Sequence, residues 1–287
     1  MKNQHFKHII ELNFAMLFIS TSGVLGRYIS VTPPMAIWWR SLFALFILGA
    51  YCWYKKVNFK ISSKKDLFTI VISGLFLGAH WITYFYALQL SSVALGMLSL
   101  FTYPVITTLL EPLFLKTKLN LKHLLLGVLV LIGISFLIPE LSIENNHTKG
   151  ILFGLLSAVV YAIRNILMKK KVAHYDSSML MFYQTLTITV LLWPVFFIFN
   201  FNPTMNDWSV LVILAVVTTA LGHTLFVKSF KNFSIGTASI MSSIQPVYGI
   251  LLGVLFLSEI PSGSTMFGGL LIITTVIIES IQSGKKS

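Results

Sequence analysis

Acidic residues are scarce in this chain. Nine Asp and Glu stand against 21 Lys and Arg in 287 residues, and charged residues make up 10% of the whole. Soluble domains carry about 25% charged residues, so there is too little polar surface here to cover a water-soluble body of this size. Cysteine is nearly missing: Cys52 stands alone, which excludes an intrachain disulfide and leaves it an apolar filler. There is no GxxxxGK[ST] loop and no soluble segment to hold one, which argues against ATP-driven work by this chain. There is no HExxH or His-box, and no paired carboxylate or metal cluster, so no metal, cofactor or catalytic residue is expected and the chain reads as a non-enzyme.

What is present is apolar. Hydrophobic residues reach 56% and the mean hydropathy is strongly positive. The net charge of +12 raises nucleic acid as a partner, but the lysines fall in short clusters between apolar runs. That pattern fits membrane lipids and excludes nucleic acid. Lys2 and Lys7 before an apolar stretch resemble a signal peptide, yet the run continues to Ile29 and carries Arg27, which reads as a retained span.

A spanning helix needs about 20 mostly apolar residues. Ten segments meet that demand: Ile10–Ser30, Met35–Tyr54, Leu67–Leu88, Val93–Leu115, Leu121–Ile138, Gly150–Met168, Ser178–Phe199, Trp208–Phe230, Ile235–Leu257 and Ser264–Ile281. With that count, 17 of 18 lysines fall on one side, Lys149 being the exception. The positive-inside rule makes that side cytoplasmic. Both termini are then expected in the cytoplasm of a cell with a bacterial-type inner membrane.

The halves repeat. TyrProVal at 103–105 matches GlnProVal at 245–247, LeuPheLeu at 113–115 matches 255–257, and Gly127 matches Gly269, all at an offset of 142. Ser20 and Arg27 match Ser157 and Arg164 at an offset of 137. The expected fold is therefore an all-α integral membrane protein of ten transmembrane helices, built as two inverted five-helix repeats, residues 1–145 and 146–287. Five is odd, so the second unit enters the membrane from the opposite side. Inverted repeats are a layout of secondary transporters, with the substrate near the midplane.

Polar residues inside the spans are functional candidates by default. In span 4, Gly96, Ser99, Tyr103, Thr107 and Glu111 follow one another at helical spacing on one face. Span 9 carries Ser239, Ser242 and Gln245 before Pro246. These faces line a cavity or form tight helix contacts around two proline kinks. Span 3 offers His80, Trp81 and Tyr84, and span 8 offers His223, one residue out of the repeat register with His80. A histidine can switch charge near neutral pH and carry a proton; it can also sit neutral in a hydrogen bond between helices. The substrate-binding candidates are His80, Trp81, Tyr84, Ser99, Tyr103, Gln245 and His223. The coupling or gating candidates are Glu111, Arg40, Arg27 and Arg164. Arg40 lies about 9 Å along its helix from Pro34 and either meets a substrate carboxylate or a helix end, or snorkels outward. Arg27 and Arg164 serve as gates or as interface anchors. Glu111, about 7.5 Å from Lys116, is a proton site, a gate partner or a cap on a neighbouring helix.

One family has this ordered set of features. ArgSerLeuPheAla at 40–44, HisTrp at 80–81, the run from SerSerVal at 91 to TyrPro at 104, LeuLeuGluProLeuPhe at 109–114 and LeuPheLeuSerGlu at 255–259 resemble the drug/metabolite transporter superfamily, EamA branch. One departure is LysThrLys at 116–118, where many members have GlyGlu. The resemblance implies export of a small polar metabolite, often an amino acid or related compound, and a cavity lined by spans 1, 3, 4, 6, 8 and 9. The partners are then a small-molecule substrate, membrane lipids and, if transport is coupled, protons; no feature sets an oligomeric state. A lipid or lipid-linked-sugar flippase on the same fold is the alternative, and a membrane-embedded lipid-modifying enzyme a more distant one.

Overall fold

The computed structural model describes residues 2–116 and 144–284, with isolated positions 125–126, 128–129, 132–133 and 136 between them. Most of the expected span Leu121–Ile138, including Gly127, and residues 139–143 of the connection after it lie outside the described residues. Those residues are helical, without a strand among them, and eight helices are long and apolar enough to cross a membrane.

In chain order the helices are α1 (Lys2–Tyr28), α2 (Pro33–Tyr54), α3 (Lys64–Leu90), α4 (Val93–Leu100), α5 (Tyr103–Leu115), α6 (Asn146–Val172) and α7 (Ser177–Leu192). A continuous span then runs through α8 (Met205–Ile213), a π-helical segment (Leu214–His223) and α9 (Thr224–Ser229). It is followed by α10 (Ile235–Met241), α11 (Gln245–Leu257) and α12 (Gly263–Gly284).

Local chemistry sets the boundaries. Side chains of Ser63, Ser92, Asn145, Asp176, Thr204 and Ser234 accept backbone N–H bonds that the first helical turn cannot make internally. Pro33 and Pro34 open α2, where a missing N–H costs nothing. Pro194 ends the regular part of the seventh span, which finishes as a 3-10 turn at Trp193–Phe197. Lys116 and Ser258 stop α5 and α11 in the left-handed conformation at φ 57° and 54°. They stand 142 residues apart, at matching repeat positions.

Spans 4 and 9 are both broken rather than merely kinked. The first turns at Phe101–Thr102 and resumes with Pro104 in its opening turn; the second passes through a 3-10 turn, Ser242–Ile244, and resumes with Pro246. A proline has no N–H to give to the preceding turn, and the open backbone this leaves is tolerated in a membrane only where protein or water covers it. Thr102 and Ser242 are both buried.

Around these breaks, α3 packs along α6, α2 along α7, and α1 against both the π segment and α11. One continuous apolar core runs through Met16, Leu77, Trp81, Phe85, Phe226 and Phe230. Small residues set the closest approaches: a side chain on Gly154 would collide with Ser99, and one on Gly249 with the Met97 sulfur. Outward faces carry exposed Phe46, Phe68, Leu113, Phe197 and Phe256, as lipid contact requires. Trp39 stacks on Phe201 at 5.4 Å and meets Trp208 edge-on at 4.9 Å, an aromatic cluster of the kind found at membrane interfaces.

Candidate functional site

Six spans meet at the level of the helix breaks and enclose a small cavity. Its walls are Ile19 and Ser22 of α1, His80, Trp81 and Tyr84 of α3, and Leu100 and Phe101 at the end of α4. Tyr161 of α6, His223 of the π segment and Gln245 of α11 complete it. These are spans 1, 3, 4, 6, 8 and 9, the set the resemblance implies. In this conformation the space is about 10 Å³, room for one water.

The two histidines can be assigned by what their neighbours can donate. Trp81 Nε1–H is a donor only, so His223 Nε2 accepts its bond at 3.2 Å. Ser157 gives its hydroxyl proton to the His80 carbonyl at 2.9 Å, so His80 Nδ1–H donates to the Ser157 oxygen at 2.7 Å. The His80 ring stacks on Tyr161 at 4.0 Å, and Tyr161 meets Tyr103 edge-on at 4.9 Å. Gln245 donates to the Met16 sulfur at 2.9 Å.

His223 closes the π segment. His223 misses the 142-residue spacing from His80 by one, and falls opposite Trp81 instead. A π turn takes in an extra residue relative to an α turn. It also brings Thr218 and Thr219 together: both hydroxyls donate to the Leu214 carbonyl. Both then accept from Arg40, Thr219 from Nε at 2.7 Å and Thr218 from Nη2 at 2.9 Å. The Arg40 guanidinium lies 4.0 Å over the Trp81 ring and reaches Ser22 at 3.5 Å.

Arg40 does not snorkel: it has no exposed surface. Nor is Arg164 an interface anchor. It is fully buried one turn beyond Tyr161, bonded to Gln184 Oε1 at 2.8 Å and Asn165 Oδ1 at 3.0 Å. The match of Arg27 with Arg164 in sequence therefore joins residues in different settings. Arg27 lies at a helix end, about a third exposed, and pairs with Glu259 at 2.8 Å. It also donates to the Gln89 carbonyl at 2.8 Å. The second Glu259 oxygen accepts the Val93 backbone N–H at 2.8 Å, so this carboxylate ties α1 to the start of α4.

Glu111 sits at the other end of the bundle. Its Oε2 would be 3.3 Å from a Cβ on Gly236, which places the carboxylate against the first turn of α10. Lys169 is within its electrostatic reach and also donates to the carbonyls of Phe230 and Phe233. Glu111 and Glu259 thus each stand beside the N-terminal turn of a helix from the other half of the chain, where negative charge is favoured, each with a cation beside it.

Two candidates fall away from the cavity wall. Ser99 turns its hydroxyl back to Leu95 and Gly96 and packs on Gly154. Tyr103 bonds to Ser242 across the two broken spans. The polar stripe of span 4 is a helix-contact face over these positions, and the break at Phe101 turns a different face to the cavity. Tyr161 and Ser22 were missed from sequence. The signal for Tyr161 was its place four residues after Ser157 on one helical face, between that serine and Arg164.

Comparison with known proteins shows which family the chain resembles. The model of the EamA-like transporter family matches residues 8–138 and again 148–281. An uncharacterized transporter of Archaeoglobus fulgidus is 29% identical over 196 residues, 68% of this chain and 70% of its own. The pseudopaline exporter CntI of Pseudomonas aeruginosa is 24% identical over 269 residues, 92% of each chain. A solved crystal structure superposes with a TM-score of 0.76 at 17% identity, covering 98% of this chain and 99% of its own, a likeness of fold alone. With two matched stretches that together span nearly all of its length, this chain belongs to the EamA-like transporter family.

Proposed function

We propose that this chain is a secondary transporter that exports a small polar metabolite, an amino acid or related compound, across a bacterial-type cytoplasmic membrane by alternating access. The observation that carries the reading is the cavity at the meeting of six spans, with His80, Tyr84, His223 and Gln245 in its walls, beside two broken helices. Its direction is supported by the relative named as an exporter, which the chain matches over 92% of its length. The mechanism pairs the cavity with two closures. Arg27 and Glu259 hold one end, with Glu259 bridging to α4. Lys169 and Glu111 hold the other, the lysine-rich end that the charge pattern places in the cytoplasm with both termini. The units 1–145 and 146–287 are the two inverted repeats, and opening one closure while the other holds exposes His80, Trp81, Tyr84, His223 and Gln245 to one side at a time.

A flippase reading has one observation in its favour. An apolar groove of about 350 Å³ opens between α1, the span of α8 and α11, lined by Val24, Leu25, Tyr28, Val210, Leu252 and Phe256. It lacks a charged side chain to take a headgroup, so the central cavity is the preferred site. Reconstitution decides between them. Counterflow of a labelled water-soluble metabolite in proteoliposomes supports the transporter; scrambling of a labelled lipid without metabolite counterflow overturns it.

A further inference from the structure

Two guanidiniums are sealed in this bundle, and among the described residues neither meets a carboxylate. Arg40 is held by the hydroxyls of Thr218, Thr219 and Ser22 and by the face of Trp81. Arg164 is held by the amides of Gln184 and Asn165 and by the Met181 sulfur. Among the described residues, no carboxylate is within electrostatic reach of either group. Four described acids are committed at the ends of the bundle: Glu259 to Arg27, Asp66 to Lys171, Glu11 to Lys228, and Asp207 to the Ser30 and Thr204 backbone. Neutral acceptors orient a cation without cancelling its charge. Burying a charge is unfavourable unless it is paired, and apolar replacement of buried ionic groups is often stabilising. Two uncancelled cations around one membrane-embedded cavity ask for a counter-charge from outside the chain.

A second feature points the same way. Because His223 Nε2 accepts from Trp81, the proton of the neutral ring sits on Nδ1. That Nδ1 has no hydrogen-bond partner, in a side chain that lines the cavity and is 2% exposed. A buried donor left unmade carries a penalty that a bound acceptor removes. Ser22, which Arg40 reaches at 3.5 Å, lines the same cavity as His223. His80 lies within electrostatic reach of both arginines.

We propose that the transported solute is a small organic anion. Its carboxylate takes the Nδ1–H of His223 in the field of Arg40, and Arg164 supplies the second positive charge from the α6 side of the cavity. This rests on the transporter reading and narrows it from polar metabolites to those with net negative charge. Neutral acceptors hold the arginines in place while the cavity is empty, and the anion supplies the charge they lack.

The test compares solutes of one skeleton and different charge. Thermal unfolding of the purified full chain is followed with succinate, glutarate or glutamate, with succinamide, and with putrescine, at matched ionic strength in sodium chloride. The anions are expected to raise Tm; the amide, the diamine and chloride are not. Arg40→Met is expected to abolish the anion-dependent rise while the empty variant melts no lower than the parent, because Thr218 and Thr219 keep their bonds to Leu214. Arg164→Met provides the same reading should Arg40→Met fail to fold. Stabilisation by the amide or diamine equal to that by the anions overturns the proposal, as does an anion response that survives both variants or one that no solute produces. Counterflow separates the two layers: a neutral or cationic solute carried in preference to the anions refutes the anion class and leaves the transporter standing.

Discussion

Glu259→Gln tests the Arg27 closure most directly. The carboxylate makes two bonds, from Arg27 Nε–H and from the Val93 backbone N–H, both at 2.8 Å. Glutamine keeps one oxygen, which the fixed N–H at the start of α4 holds, so the substitution mainly removes the ion pair and the charge at the helix terminus. The two side chains are 34% and 24% exposed, so solvent screening keeps the pair to about 1 kcal/mol or less. Loss of negative charge beside a helix N-terminus adds about 0.3–1 kcal/mol. The loss is then about 0.3–2 kcal/mol, which shifts an open–closed ratio about 2- to 30-fold. It enters that equilibrium because the bond spans elements that separate when this end opens. The assay is the rate at which a membrane-impermeant maleimide labels Ser22→Cys in a Cys52→Ser background, added from the side of Arg27. The rate should rise by that factor in Glu259→Gln, and Arg27→Gln should add little on top of it, since both remove one interaction. An unchanged rate, or additive effects of the two substitutions, refutes the closure.

Other outcomes follow from the same geometry. Glu111→Gln keeps an oxygen beside α10 and should transport with the parent's dependence on an imposed pH gradient while melting lower, whereas Glu111→Leu should express poorly; loss of gradient dependence in a stable Glu111→Gln protein would make it a proton site instead. Gly154→Val should overpack against Ser99 at a cost of about 1–3 kcal/mol, read as a lower Tm in detergent, while Gly263→Ala, with nothing within 4 Å of its added methyl, should be neutral. Cysteines placed in the 55–66 loop should label only from the cytoplasmic side; labelling from outside intact cells would reverse the topology.

The membrane-spanning, apolar character of the chain and the clustering of lysines between apolar runs follow from composition and spacing, because a bilayer imposes length and charge rules on every span separately. Those rules read His80, Trp81 and His223 as candidates and the proline breaks as special backbone. They do not say which way a polar side chain faces within a packed bundle. Ser99 and Tyr103 share a helical face with Glu111 in sequence, yet the turn at Phe101 separates that face into helix contacts. The π segment brings Thr218, Thr219 and His223 to Arg40 and Trp81 by taking in a residue, a local change of helix geometry with no signature of its own in hydrophobic periodicity. Arg40 and Arg164 are both arginines inside apolar runs, and only the packing of α2 and α6 decides that they turn inward, where neutral partners hold them, rather than outward toward a membrane surface.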